Sequence, residues 1–133
     1  MAGTRRAFTL VELMVVILIV GILAAAAIPL MRGRIDAAKW SEANATAGTI
    51  RAAVRVYFAE TGDTTSILGA LNDADIQSKL GFTTDDLTGT YFTAGDYEIT
   101  QISATGVAEV TVTGSQANAP SGSKTLALDG TWQ

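Results

Sequence analysis

Cysteine and histidine are both absent from this 133-residue chain. Their absence excludes disulfide stapling, thiolate nucleophiles, imidazole general bases and the commonest zinc ligands together. No phosphate-cradling loop, nucleophile elbow or metal-ligand spacing takes their place, so the sequence offers no catalytic equipment, no metal site and no cofactor site. Cations are scarce as well. Nine Lys and Arg face thirteen Asp and Glu, and the net charge of −4 disfavours a nucleic-acid partner. The acid pairs Asp73 with Asp75 and Asp85 with Asp86 read as helix-start and turn residues in preference to hydrolytic carboxylates or calcium ligands. At this length the chain holds one domain plus one membrane segment.

Charge is missing from Phe8 to Met31, with the single exception of Glu12. The uncharged run from Leu13 to Met31, at about 1.5 Å per residue, just crosses a hydrocarbon core of roughly 30 Å. A carboxylate at the head of such a segment costs roughly 2.5 to 3.5 kcal/mol deep in lipid, so it is a functional residue by default and needs a partner. A Glu that snorkels to the interface is the simpler reading, and it does not exclude pairing. Positive charges leave topology open, because Arg5 and Arg6 precede the span while Arg32, Arg34 and Lys39 follow it. An ordinary secretory signal ending near Ile28 also fits the basic start, the apolar stretch Leu13 to Leu23 and Ala25-Ala26-Ala27. Glu12 counts against it, since a discarded signal has no use for a carboxylate there.

The order Phe8-Thr9-Leu10-Val11-Glu12-Leu13-Met14-Val15-Val16, behind basic residues, resembles the amino-terminal signature of type IV pilins and pseudopilins. Counted from Phe8, the acid falls fifth, Gly21 fourteenth and Pro29 twenty-second, as in that family. Ala7 stands where the family usually has glycine before the cleavage point. The specific resemblance covers about the first 50 residues.

The resemblance implies that prepilin peptidase cuts between Ala7 and Phe8 and that the new Phe8 terminus is N-methylated. Losing Arg5 and Arg6 takes the formal charge from −4 to −6. The exposed α-amine, with an unperturbed pKa of about 7.7 to 8.0, is mostly cationic at neutral pH, and a neighbouring carboxylate holds it so. In a filament of parallel, staggered helices, Glu12 of one subunit would meet the Phe8 amine of another, and wrong registers would leave both charges buried unpaired. Gly21 and Pro29 would weaken the helix between them, where family members bend. The alternative is an ordinary membrane-helix proline whose freed groups neighbours satisfy.

Beyond the span, Ala37, Trp40, Ala43, Ala47, Ile50, Val54 and Tyr57 recur at three-four spacing and predict one apolar stripe, with Glu42, Asn44 and Arg51 on the opposite face. One helix is expected from about Phe8 to about Thr61, roughly 80 Å long, with Gly62-Asp63 as its stop. A short helix should begin at Asn72-Asp73-Ala74-Asp75 and end at Lys79-Leu80-Gly81. Tyr97 to Thr100 and Ala108 to Thr113 alternate as strands around Ala104-Thr105-Gly106, a hairpin. A further strand, Thr125 to Leu128, should follow a flexible Gly114 to Ser123 loop, with Trp132 closing the sheet edge.

The resulting expectation is an α+β pilin fold: a long amino-terminal α-helix with a three- or four-stranded antiparallel sheet packed on its carboxy-terminal half. It divides into a leader (1–7), a transmembrane and assembly helix (8–31), an amphipathic continuation (32–62) and a globular head (63–133). The expected function is a structural, non-enzymatic subunit of a homo-oligomeric type IV pilus or pilus-like filament. Its partners would be prepilin peptidase, a pilus or secretion assembly platform and, before assembly, the inner membrane, with the filament at the cell surface or, for a pseudopilus, in the periplasm. A type II secretion pseudopilin is the alternative, and the acid-free loop Gly114 to Ser123 argues against the calcium ligands that major pseudopilins carry. A secreted or membrane-anchored binding domain that never polymerises is the competing class. Electron conduction is disfavoured because no aromatic residue lies between Phe8 and Trp40.

Overall fold

A computed structural model describes Gly3, Thr4 and residues 6–133; Met1, Ala2 and Arg5 of the expected leader lie outside the described residues. The chain falls into two compact units, 1–35 and 36–133. The backbone helix α1, Leu10–Thr61, contributes to each.

In the first unit α1 buries nothing. Its large apolar side chains remain between 47% (Val15) and 76% (Leu10) exposed, because the helix is apolar all round and no other element of the unit covers it. By length and composition it is able to cross a membrane. Pro29 lies inside the helix, where it removes one backbone donor and leaves the Ala25 carbonyl without its usual partner.

The second unit is built on the other half of α1. Trp40, Ala43, Ala47, Ile50 and Val54 are buried as their spacing predicts, and the alanines let the sheet approach closely. Ala37, expected in that stripe, is exposed. The sheet is four-stranded and antiparallel in the order β1-β2-β3-β4, with β1 Gly69–Ala70, β2 Tyr97–Ile102, β3 Ala108–Thr113 and β4 Ser123–Leu126. This is an α+β, pilin-like fold: a long apolar helix and a small antiparallel sheet. Strand β4 begins and ends two residues before the expected Thr125 to Leu128, because the chain after Leu126 turns back. Thr125 and Gln133 exchange backbone hydrogen bonds, and Trp132 bridges Leu126 at the sheet edge. Trp40, Phe92 and Tyr97 form an aromatic core, with ring centroids 5.2 Å apart for Trp40 and Phe92 and 6.3 Å for Phe92 and Tyr97. Burial pushes the Tyr97 phenol up to about 12.

Helix α2, Ala74–Leu80, is capped as expected: the Asp73 carboxylate accepts from Asp75 N–H at 2.8 Å, and Gly81 ends it. In the hairpin turn, Gly106 takes a positive φ of 78° and presses against the Phe58 ring, so any side chain there would be strained and would clash.

Two residues expected on the solvent face of α1 turn inward instead. Glu42 accepts backbone N–H groups from Thr90, Tyr91 and Phe92 at 3.2, 3.0 and 3.3 Å, and Gly89 leaves room for that carboxylate. Arg51 donates to the carbonyls of Ala108 (2.9 Å), Leu126 (3.2 Å) and Ala127, tying the helix to the ends of β3 and β4. Periodicity alone assigns charged residues to water, whereas here unpaired loop and strand-end groups supply their partners. Asn44 alone of the three is exposed.

The Gly114 to Ser123 loop is fastened, in contrast to the expected flexible connection. Buried Asp96 accepts from Thr93 N–H (2.7 Å), Thr93 Oγ1 (3.1 Å), Ser115 N–H (3.2 Å) and Ser115 Oγ. Asn118 donates to the Thr90 carbonyl at 3.0 Å, and Lys39 donates to the Asn118 carbonyl at 2.8 Å. Side-chain hydrogen bonds hold a loop that has no cysteine to staple it.

Candidate assembly site at the amino terminus

Helix α1 starts at Leu10, two residues after the Phe8 expected from sequence. The reason is local. Thr9 N–H donates to Glu12 Oε2 at 2.9 Å, and Glu12 N–H donates to Thr9 Oγ1 at 3.2 Å. This reciprocal pair is a capping box, in which a Thr and the Glu three residues later satisfy each other's free backbone donors. The Thr-x-x-Glu spacing was present in the sequence as the signal for it.

The cap gives Glu12 a structural role within its own chain, and its charge at the helix start also complements the helix dipole. It occupies only part of the carboxylate: Oε1 has no hydrogen-bond partner among the described residues. One oxygen organises the helix end while the other remains available to a cation.

Ala7 and Phe8 lie outside the helix in exposed chain without regular secondary structure, and Phe8 is 87% exposed. The bond between them is therefore accessible to a protease. Cleavage there would leave Phe8 as one free residue ahead of the Thr9 cap, with its new amine four residues before Glu12. Gly21 and Pro29 are helical and exposed, and a side chain at Gly21 would meet open space. Gly21 is thus not required by packing within the chain. Asp73 and Asp86 have local structural roles, Asp73 as the α2 cap and Asp86 as acceptor from Thr83 N–H at 2.8 Å.

Residues 3–28 match the family model described as the prokaryotic N-terminal methylation motif. Over 58 residues the chain is 43% identical to the fimbrial protein EcpC of Eikenella corrodens. Both matches lie in part of the chain and support a type IV pilin signal there. The match to EcpC covers 44% of this chain and spans 38% of that relative's length. No solved structure gives a significant match. Within a pilin signature, Thr9 is the residue that sequence reading passed over, and it sits between the motif's first residue and its acid.

Proposed function

We propose that this pilin is a structural subunit, without enzymatic activity, of a type IV pilus. It is held in the inner membrane as a precursor, cut between Ala7 and Phe8 by prepilin peptidase, methylated at Phe8 and polymerised by a pilus assembly platform. One observation carries the reading: an uncovered apolar helix, headed by a carboxylate with an open oxygen, inside a methylation motif. Such a surface is stable only in lipid or against other helices. Glu12 gives the assembled filament its register by taking the Phe8 amine of an adjacent subunit, and Gly21 and Pro29 let the helix bend there.

A surface pilus is favoured over a type II pseudopilus by the Gly114 to Ser123 loop, which has no acidic residue and is held by Asp96 and Lys39. The fimbrial name of the EcpC relative points the same way.

Intact mass of the mature chain tests the processing. A methylated Phe8 terminus is expected, whereas a terminus at Ile28 would mean secretion and an intact Met1 a simple anchor. Glu12→Ala should insert and be cut normally but lower fibre yield about tenfold or more, with Glu12→Asp intermediate. Wild-type yield of sheared fibres from the alanine variant would refute the charge pairing.

A further inference from the structure

Arg32 and Asp36 lie one turn apart on α1, both exposed, and neither makes a hydrogen bond or ion pair among the described residues. Lys39 and Arg51, by contrast, sit on backbone carbonyls and Lys79 on Asp75 at 2.7 Å, while Arg34 is open like Arg32 among the described residues. Within one helix an Arg four residues before an Asp is the weaker orientation, which fits the pair's remaining open.

The same offset, cation first and carboxylate four residues later, separates Phe8 from Glu12. We propose that a neighbouring copy of this chain, displaced by about 6 Å along the helix axis, the rise of four helical residues, sets its Arg32 against Asp36 while its Phe8 amine, on the short non-helical chain ahead of the Thr9 cap, reaches Glu12. The inference rests on the filament reading above and adds a second contact to it. Each subunit interface then carries one charge pair at either end of the uncharged segment. Apolar side chains alone tolerate slips of three, four or seven residues, because each slip again presents apolar surface to apolar surface. Two charge pairs do not tolerate them, since a slip strands all four groups.

Arg32 adjoins Gly33, where nothing crowds an approaching helix.

The absence of cysteine makes the test clean. Chains carrying Arg32→Cys and chains carrying Asp36→Cys are co-expressed with the assembly machinery, and sheared fibres are oxidised. A disulfide-linked dimer is expected from the mixture and from neither variant alone. Arg32→Asp should lower fibre yield about tenfold, and adding Asp36→Arg should restore most of it. Fibres that form without the cross-link, or a double reversal no better than the single one, overturn the pair and leave Arg32 to lipid headgroup phosphates. A wild-type chain with a Phe8 terminus that builds no fibre overturns the filament reading, and the pair with it.

Discussion

From Leu10 to Met31 every large apolar side chain faces outward, while the unit from Asp36 to Gln133 encloses Ile50, Val54, Phe92, Ile99, Val110 and Val112 almost completely. The first segment is more apolar yet buries less, because one helix cannot cover itself. The second alternates apolar with polar residues and so closes a helix stripe onto a sheet face. Hydrophobicity therefore does not predict where a core lies; a core needs two surfaces that face each other. The polar groups divide the same way. The buried polar side-chain atoms among the described residues of the head all have partners, whereas exposed Glu12 keeps an oxygen open.

Replacing Phe92 by Ala should separate the two regions most sharply. The head should lose about 3–5 kcal/mol in chemical denaturation of the detergent-solubilised chain, while Leu18→Ala leaves head unfolding unchanged. Equal losses from both would mean that the apolar segment supports the head. Next, Asp96→Ala should cost about 3 kcal/mol, since it strands donors from Thr93 and Ser115, and proteolysis should then cut the Gly114 to Ser123 loop first. A resistant loop would show that packing, not the carboxylate, holds it.

Alkali gives a smaller effect with a defined sign. Folding favours the neutral Tyr97 phenol, pushed up to about 12, over the unfolded value near 10. Between those values the unfolded chain has lost a proton that the head retains, so stability should fall by roughly 2 kcal/mol as pH rises from about 10 to 12. Melting of Tyr97→Phe should lack that decline. The smallest change is expected from Lys79→Ala: its partner Asp75 is exposed, and the melting temperature should hardly move. A large drop would reveal that the Lys79 bond to the Ser66 carbonyl anchors the loop after α1.

Much of this was readable in advance where the signal is local or periodic. The buried stripe from Trp40 to Val54, the Asp73 cap, and the strands on either side of Gly106 all follow from spacing and turn chemistry. Glu12 stood out because it is a lone charge. Its cap with Thr9 is equally local, carried by the Thr-x-x-Glu spacing, and gives the same carboxylate an ordinary helix-start role. Glu42, Arg51 and Asp96 belong to a different class. Their partners are loops and strand ends far along the chain, such as Phe92 for Glu42 and Leu126 for Arg51, and no pattern in one helix announces them.

The methylation motif, the uncharged span, the long helix and the strand hairpin are specified locally, because each depends on residues within a few turns of one another. Which charged side chains leave the solvent face, and how a cysteine-free loop is held, depend on the folded chain. A buried polar group takes whichever distant partner the folded backbone brings within hydrogen-bond reach, and that proximity exists only once the chain has closed on itself.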